Sequence, residues 1–214
     1  MYSYEAEDFE EQAIKIKKLF YQYKCRVCSI DANGLGIGLV DFLTKVQIDP
    51  ETGDELPPFG VEGGTAEDTN ELYKKIKGDN VEKNALYLIK ANAPINTEAH
   101  AFVQTQLSSN RIKLLIDERE ASAKLMSTKV GQNMTPEQRA EYLRPFTLTT
   151  ILKEQMLNLI ENNDGVNIIL KQNNRGIRKD RFSAFEYGLY YIKQDEEKKR
   201  KRKSFSISDM CFFT

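Results

Sequence analysis

The feature that most constrains this chain is a change of rhythm between Glu7 and Val46. Phe9, Ala13, Ile16, Phe20 and Tyr23 recur every three or four residues, so one apolar stripe runs along a helix from Glu7 to Lys24. Lys15, Lys17 and Lys18 fall on its other faces. Cys25-Arg-Val-Cys-Ser-Ile30 follows as a short β-prone run ending at Asp31. Asn33, Gly34, Gly36 and Gly38 then form a glycine-rich turn into a second helix, about Leu39 to Val46. Helix, strand, glycine turn and helix in that order are the units of a parallel α/β sheet.

Later segments extend the pattern. Asp49 to Gly64 holds Pro50, Pro57, Pro58 and four glycines, which predicts a mobile surface insertion. Glu67 to Lys77 reads as a weak helix, Ala85 to Lys90 as a second strand, and Thr97 to Leu107 as a helix capped by Asn96. Lys113 to Ile116 reads as a third strand, followed by Asp117 and a helix to Met126. Thr135-Pro-Glu-Gln138 is a helix start with a Thr cap, Pro at the first position and Gln at the third. Pro145 is expected to interrupt that helix. Thr149 to Asn162 should form another, stopped by Asn163-Asp-Gly165, with Val166 to Leu170 as a fourth strand. Asp180 opens a last helix to about Lys193. Residues 1–195 then make one α/β domain, with a charged tail over 196–214.

Composition removes several function classes. Across 214 residues, 31 basic side chains face 32 acidic ones, so binding nucleic acid by bulk charge is excluded and only local patches remain. A 40% hydrophobic content supports a packed core. No run approaches the ~20 apolar residues needed to cross a bilayer. Met-Tyr-Ser-Tyr-Glu-Ala-Glu-Asp8 carries acids where a signal peptide needs basic residues. Three cysteines, an odd number, argue for a reducing compartment rather than a disulfide framework. These features lead to the expectation of a soluble, intracellular protein.

Four places could carry chemistry. Cys25 and Cys28 share a Cys-x-x-Cys spacing, but on a strand they would face opposite sides, and only Cys211 and His100 could complete a zinc set. Burial is the preferred reading for the two thiols, and a surface or half-buried helical position for His100. Gly34-x-Gly36-x-Gly38 after a strand invites a phosphate-binding reading, yet Asp31 at the strand end would repel a diphosphate. Asp31 with that turn suits a divalent metal whose charge lets a phosphate backbone approach Gly34 and Gly36; the alternative is an Asp that caps the turn. Asp180 is either a helix cap or a second metal-binding carboxylate, while Glu186, six residues on, would not share its face. Lys171, Arg175, Arg178, Lys179 and Arg181 surround Asp180 with positive charge suited to a phosphate backbone. Lys198-Lys-Arg-Lys-Arg-Lys203 is either a solvated tail or a further contact for DNA.

The run Ser29-Ile-Asp-Ala-Asn-Gly-Leu-Gly-Ile-Gly-Leu-Val-Asp-Phe-Leu43 resembles the second acidic motif of the nuclease domain in large terminase subunits of tailed bacteriophages and prophages. Three further runs resemble the same family in the same order: Ile95-Asn-Thr-Glu-Ala-His100, Arg144-Pro-Phe-Thr147 with Thr149-Thr-Ile-Leu-Lys-Glu154, and Lys179-Asp-Arg-Phe-Ser-Ala-Phe-Glu-Tyr-Gly188. The resemblance covers about Phe9 to Lys193. It implies an RNase H-like nuclease fold, a central mixed sheet flanked by helices, in which carboxylates hold Mg2+ or Mn2+ for endonucleolytic hydrolysis of DNA. Asp31 matches the acid at the end of one strand and Asp180 the acid at the start of the last helix, so the two are expected to share a metal site. Gly34, Gly36, Arg178, Lys179 and Arg181 are the expected contacts to the DNA backbone.

Implied partners are double-stranded concatemeric viral DNA, the portal protein and the small terminase subunit, in the cytoplasm of the host bacterium. The family's first catalytic Asp would lie on a strand upstream of the helix at Glu7, and no G-x-x-x-x-G-K-[ST] motif of its ATPase occurs here. The resemblance is therefore to a terminase with its first strands missing, expected to cut DNA poorly alone. A separate chain could supply the ATPase and those strands. The alternative is a non-catalytic prophage remnant that only binds DNA or complements another chain.

Overall fold

A computed structural model describes residues 8–34, 36–65 and 83–208, with side chains to residue 201. The chain is mixed α/β and its described residues form two compact units. One comprises Val103–Phe185; the other joins the preceding segment, up to Phe102, to the segment from Glu186 onward.

The second of these, the sheet unit, begins with α1 (Phe9–Gln22), whose Asp8 cap accepts a 2.8 Å bond from the Glu11 N–H. β1 (Cys28–Asp31) and α2 (Gly36–Leu43) follow, then the short antiparallel pair β2 (Gln47–Ile48) and β3 (Glu55–Leu56). β4 (Phe59–Gly64) and β5 (Lys83–Ile89) complete the strands. Among the described residues the main sheet has the order β1-β5-β4 with both pairings parallel, where a mixed sheet was expected. Helix α3 (Ala93–Ser108) leads out of β5, and the long α7 (Asp180–Ser208) returns to this unit from Glu186.

Central β5 shows why this arrangement is stable. Ala85 to Ile89 are all buried, as a strand covered on both faces requires. Alternate residues point to opposite sides. Leu86 and Leu88 join Ala13, Phe20, Ile30, Val40, Leu43 and Phe59 in one core cluster. Tyr87 and Ile89 join Ala99 and Tyr190 in another. Helices α1 and α2 thus supply one cluster, and α3 and α7 the other.

The predicted insertion at Asp49–Gly64 is largely wrong. Phe59 and Val61 are core residues of β4, and Asp49 is buried against Lys18 at 2.8 Å. Pro57 and Pro58 precede β4 rather than prevent it, because a strand can begin just after proline. The helix expected at Glu67–Lys77 lies outside the described residues. The α3 cap is Asn92, whose Oδ1 accepts from the Ile95 N–H at 3.0 Å, rather than Asn96. His100 is buried, not half-exposed. Cys25 precedes β1 instead of lying in it. Burial, then the nearby Cys25, pushes the thiol of the part-buried Cys28 up to about 11, so it stays protonated at neutral pH.

The helix-and-ribbon unit contains α4 (Glu118–Met126), capped by Asp117, and α5 (Lys129–Asn133), capped by Thr128. Its longest helix, α6 (Pro136–Leu157), opens with the expected capping box of Thr135 and Gln138. α6 continues through Pro145. Leu159–Asp164 is then strand β6, where a continued helix was expected, paired antiparallel with β7 (Asn167–Gln172) around Gly165. The predicted fourth strand therefore belongs to a two-stranded ribbon and not to the main sheet. Lys113–Ile116 forms no strand and joins no described sheet. The last helix passes Lys193 and runs to Ser208, supported by pairs of Asp195 with Lys199 and Glu196 with Arg200 one turn apart.

Candidate functional site

In open parallel sheets, ligands are taken at the carboxyl ends of the strands, where loops and helix N-termini converge. Here that edge carries Asp31, in register with Ile89 of β5. Asp31 is exposed. Its Oδ1 accepts the Asn33 N–H at 3.0 Å, closing a local turn, and Asn33 Nδ2 donates to the Ala91 carbonyl at 3.2 Å. Asp31 thus both closes the turn and keeps a second oxygen outside that bond.

The glycines have separate physical reasons. Gly34 adopts φ +55° at the turn, with open space where a side chain would be. A Cβ on Gly36 would sit 1.7 Å from the Asp31 carbonyl oxygen, and one on Gly38 would lie 2.6 Å from the Phe9 ring. Close packing explains Gly36 and Gly38 without a ligand. Gly34 is the member of the motif whose surroundings are open.

Helix α7 brings Tyr187 to the same region. Its hydroxyl donates to Asn96 Oδ1 at 3.3 Å. Burial, then the charges of Asp31 and Glu186, push the Tyr187 phenol up to about 12, so it remains a donor at neutral pH. Behind it, His100 Nδ1 on α3 and Glu186 Oε1 on α7 stand 3.7 Å apart, with both residues buried. Sequence reasoning singles out neither Tyr187 nor the His100–Glu186 pair as a site. The signal in the sequence is the spacing of Glu186, Tyr190 and Lys193, which lines one helical face, but the partner face on α3 is not legible there.

Asp180 lies in the helix-and-ribbon unit. The Lys179 carbonyl accepts from the Ser183 N–H at 2.9 Å, which makes Asp180 the first residue of the helix rather than its cap. Its carboxylate makes no hydrogen bond among the described residues. Asp31 and Asp180 therefore belong to different units, each described by itself.

The basic loop leading to Asp180 is tightly held. Asn158 Nδ2 donates to the Asn174 carbonyl at 2.9 Å, and Asn158 Oδ1 accepts the Asn174 N–H at 2.8 Å. Gln172 Nε2 donates to the Ile177 carbonyl at 2.6 Å, and the Gly176 N–H donates to Asn174 Oδ1 at 2.9 Å. Arg175, Arg178 and Lys179 are exposed on this loop and form no ion pair among the described residues. Arg181 is half-buried, with its Nε lacking a hydrogen bond among the described residues.

Among the described residues, no three His, Cys, Asp or Glu side chains converge as a metal cluster, and no helix is long and apolar enough to cross a membrane. Comparison with known protein families, curated proteins and solved structures finds no match to this chain.

Proposed function

We propose that this chain is the nuclease part of a phage or prophage large terminase subunit, a metal-dependent endonuclease that cuts concatemeric DNA for packaging on an RNase H-like fold. The observation that carries this reading is Asp31, an exposed carboxylate at the carboxyl end of a parallel strand, followed by an open left-handed turn at Gly34. The proposed metal carboxylates are Asp31 and Asp180. Their oxygen donors suit Mg2+ or Mn2+, which bind through one or two carboxylates and keep several waters. Such an ion would activate water and stabilise the leaving oxygen of the cut strand. The chain's own part is to fix the Asp31 carboxylate through the Asn33 N–H, keep Gly34 open to a phosphate, and hold the Tyr187 hydroxyl as a donor. Arg178, Lys179 and Arg181 would contact the DNA backbone.

Calorimetric titration of Mn2+ into the chain and into Asp31→Ala and Asp180→Ala tests the metal assignment. Each substitution should weaken binding about tenfold or more, roughly 1.4 kcal/mol. A variant that binds like the parent removes its residue from the site.

A second reading, a non-catalytic remnant that binds DNA or complements another chain, is favoured by the ordered basic loop, whose cations need no metal. Retained duplex binding in EDTA, with no plasmid nicking in Mn2+, would select it.

A further inference from the structure

We propose that His100 and Glu186 form a proton-linked clasp between α3 and α7, drawn into a hydrogen-bonded ion pair when the imidazole is protonated. Only 7% of His100 and 6% of Glu186 is exposed, and Nδ1 stands 3.7 Å from Oε1. That separation is too long for a hydrogen bond but short enough for one small rotation to make it. Glu186 Oε1 has no hydrogen bond among the described residues. A buried carboxylate in that position is costly to leave ionised without a positive partner.

Nearby charged and titratable groups on the two helices are engaged with one another. On α3, Glu98 accepts from Lys193 and from the Tyr190 hydroxyl, and Asn96 accepts from Tyr187. On α7, Lys193 also pairs with Glu197 at 3.7 Å. Asp31, at the end of β1, acts on the Tyr187 phenol and adds negative potential to the same side. Lys193 is thus tied to Glu98 and Glu197, while the imidazole faces Glu186. The surroundings favour the imidazolium.

The sign of the linkage follows. A free histidine loses its proton near pH ~6.5. If the folded chain holds that proton to higher pH, the clasp contributes fully below ~6.5 and weakens as pH rises through the folded-state value. With glutamine at 186, the carboxylate's support for the imidazolium is lost, and that share of the decline with rising pH goes with it.

His100 is the sole histidine of the chain, so its ring resonances are unambiguous. Titration by 15N-edited NMR of the full chain should place its midpoint about one pH unit or more above the ordinary value of ~6.5. In Glu186→Gln the midpoint should fall by about one pH unit or more, and the decline of Tm with pH between about 6 and 8 should flatten. A midpoint at or below the ordinary value in the unsubstituted chain overturns the proposal by itself, whether or not the variant folds. An unchanged midpoint in a folded Glu186→Gln also overturns it.

Discussion

Two basic stretches of this molecule, similar in composition, meet opposite fates. On α7, Lys199 pairs with Asp195 at 2.7 Å, Arg200 lies 3.9 Å from Glu196, and Lys198 sits over the Tyr87 ring. On the loop between β7 and α7, Arg175, Arg178 and Lys179 are exposed and make no ion pair among the described residues. The helix places acids one turn before the bases and spends the charge internally. The loop holds its backbone with Asn158, Gln172 and Asn174 and leaves its cations to solvent. Availability, not charge count, separates the two stretches.

The largest effect that would break this comparison is a loss of packing in the sheet unit. Gly36→Ala should destabilise by about 3 kcal/mol or more, since its Cβ would meet backbone at 1.7 Å. Gly165→Ala, at φ +63° with open space, should cost only about 1 kcal/mol. Chemical denaturation measures both; equal costs would show that the turn after β1 relaxes freely.

Next in size is the effect on the proposed DNA affinity. Arg175→Gln, Arg178→Gln and Lys179→Gln together should weaken duplex binding on the order of a hundredfold at moderate salt. The slope of log affinity against log salt should flatten by about 0.9 for each phosphate that is no longer neutralised. Neutralising Lys198, Lys199 and Arg200 should change binding only several-fold. Fluorescence anisotropy across a salt series checks this, and the reverse order would move the proposed DNA contact from the loop to the helix.

Asn158→Ala should sharpen the contrast by loosening the loop while leaving its charges in place. Without its two short bonds to Asn174, the fold should weaken by about 1–2 kcal/mol and amide exchange near Asn174 should speed up. DNA binding should weaken less than in the triple variant, and unchanged exchange would refute the anchoring role.

A further prediction concerns a cation hidden completely, and it shows only above pH ~8. Lys17 is 0% exposed, donates to the Lys45 carbonyl at 2.5 Å and lies over the Phe59 ring. Burial lowers its ammonium from 10.5 to about 8. The unfolded chain then binds more protons between those values, so stability should rise with pH across about 8 to 10.5. Lys17→Met should abolish that rise in Tm; an identical profile would place the amine in contact with water.

Local chemistry is legible in the sequence where a residue acts on its own neighbours. The capping box of Thr135 and Gln138, the Asp117 cap and Asp31 at a strand end all depend on bonds within a few residues. Choices settled by distant packing are not. Pro145 stays inside α6, and Phe59 and Val61 become core despite the prolines before them. Ile160 exchanges a helical continuation for cross-strand pairing with Lys171. The Asp31 carboxylate beside a glycine turn can be read from the residues alone, but the Tyr187 hydroxyl and the buried Glu186 behind it depend on how α7 meets α3.

The strand order β1-β5-β4 has a consequence for how this protein avoids self-association. Among the described residues, each outer strand turns one row of backbone donors and acceptors away from β5, and such rows template pairing with other chains. β4 breaks its row with register shifts at Gly60, Val61 and Gly63, which twist it away from a straight partner. β1 has no such irregularity, but its four residues present only about 13 Å of edge. The molecule thus guards one flank by distortion and the other by brevity, and a longer, straighter β1 would turn its outer edge into an aggregation site.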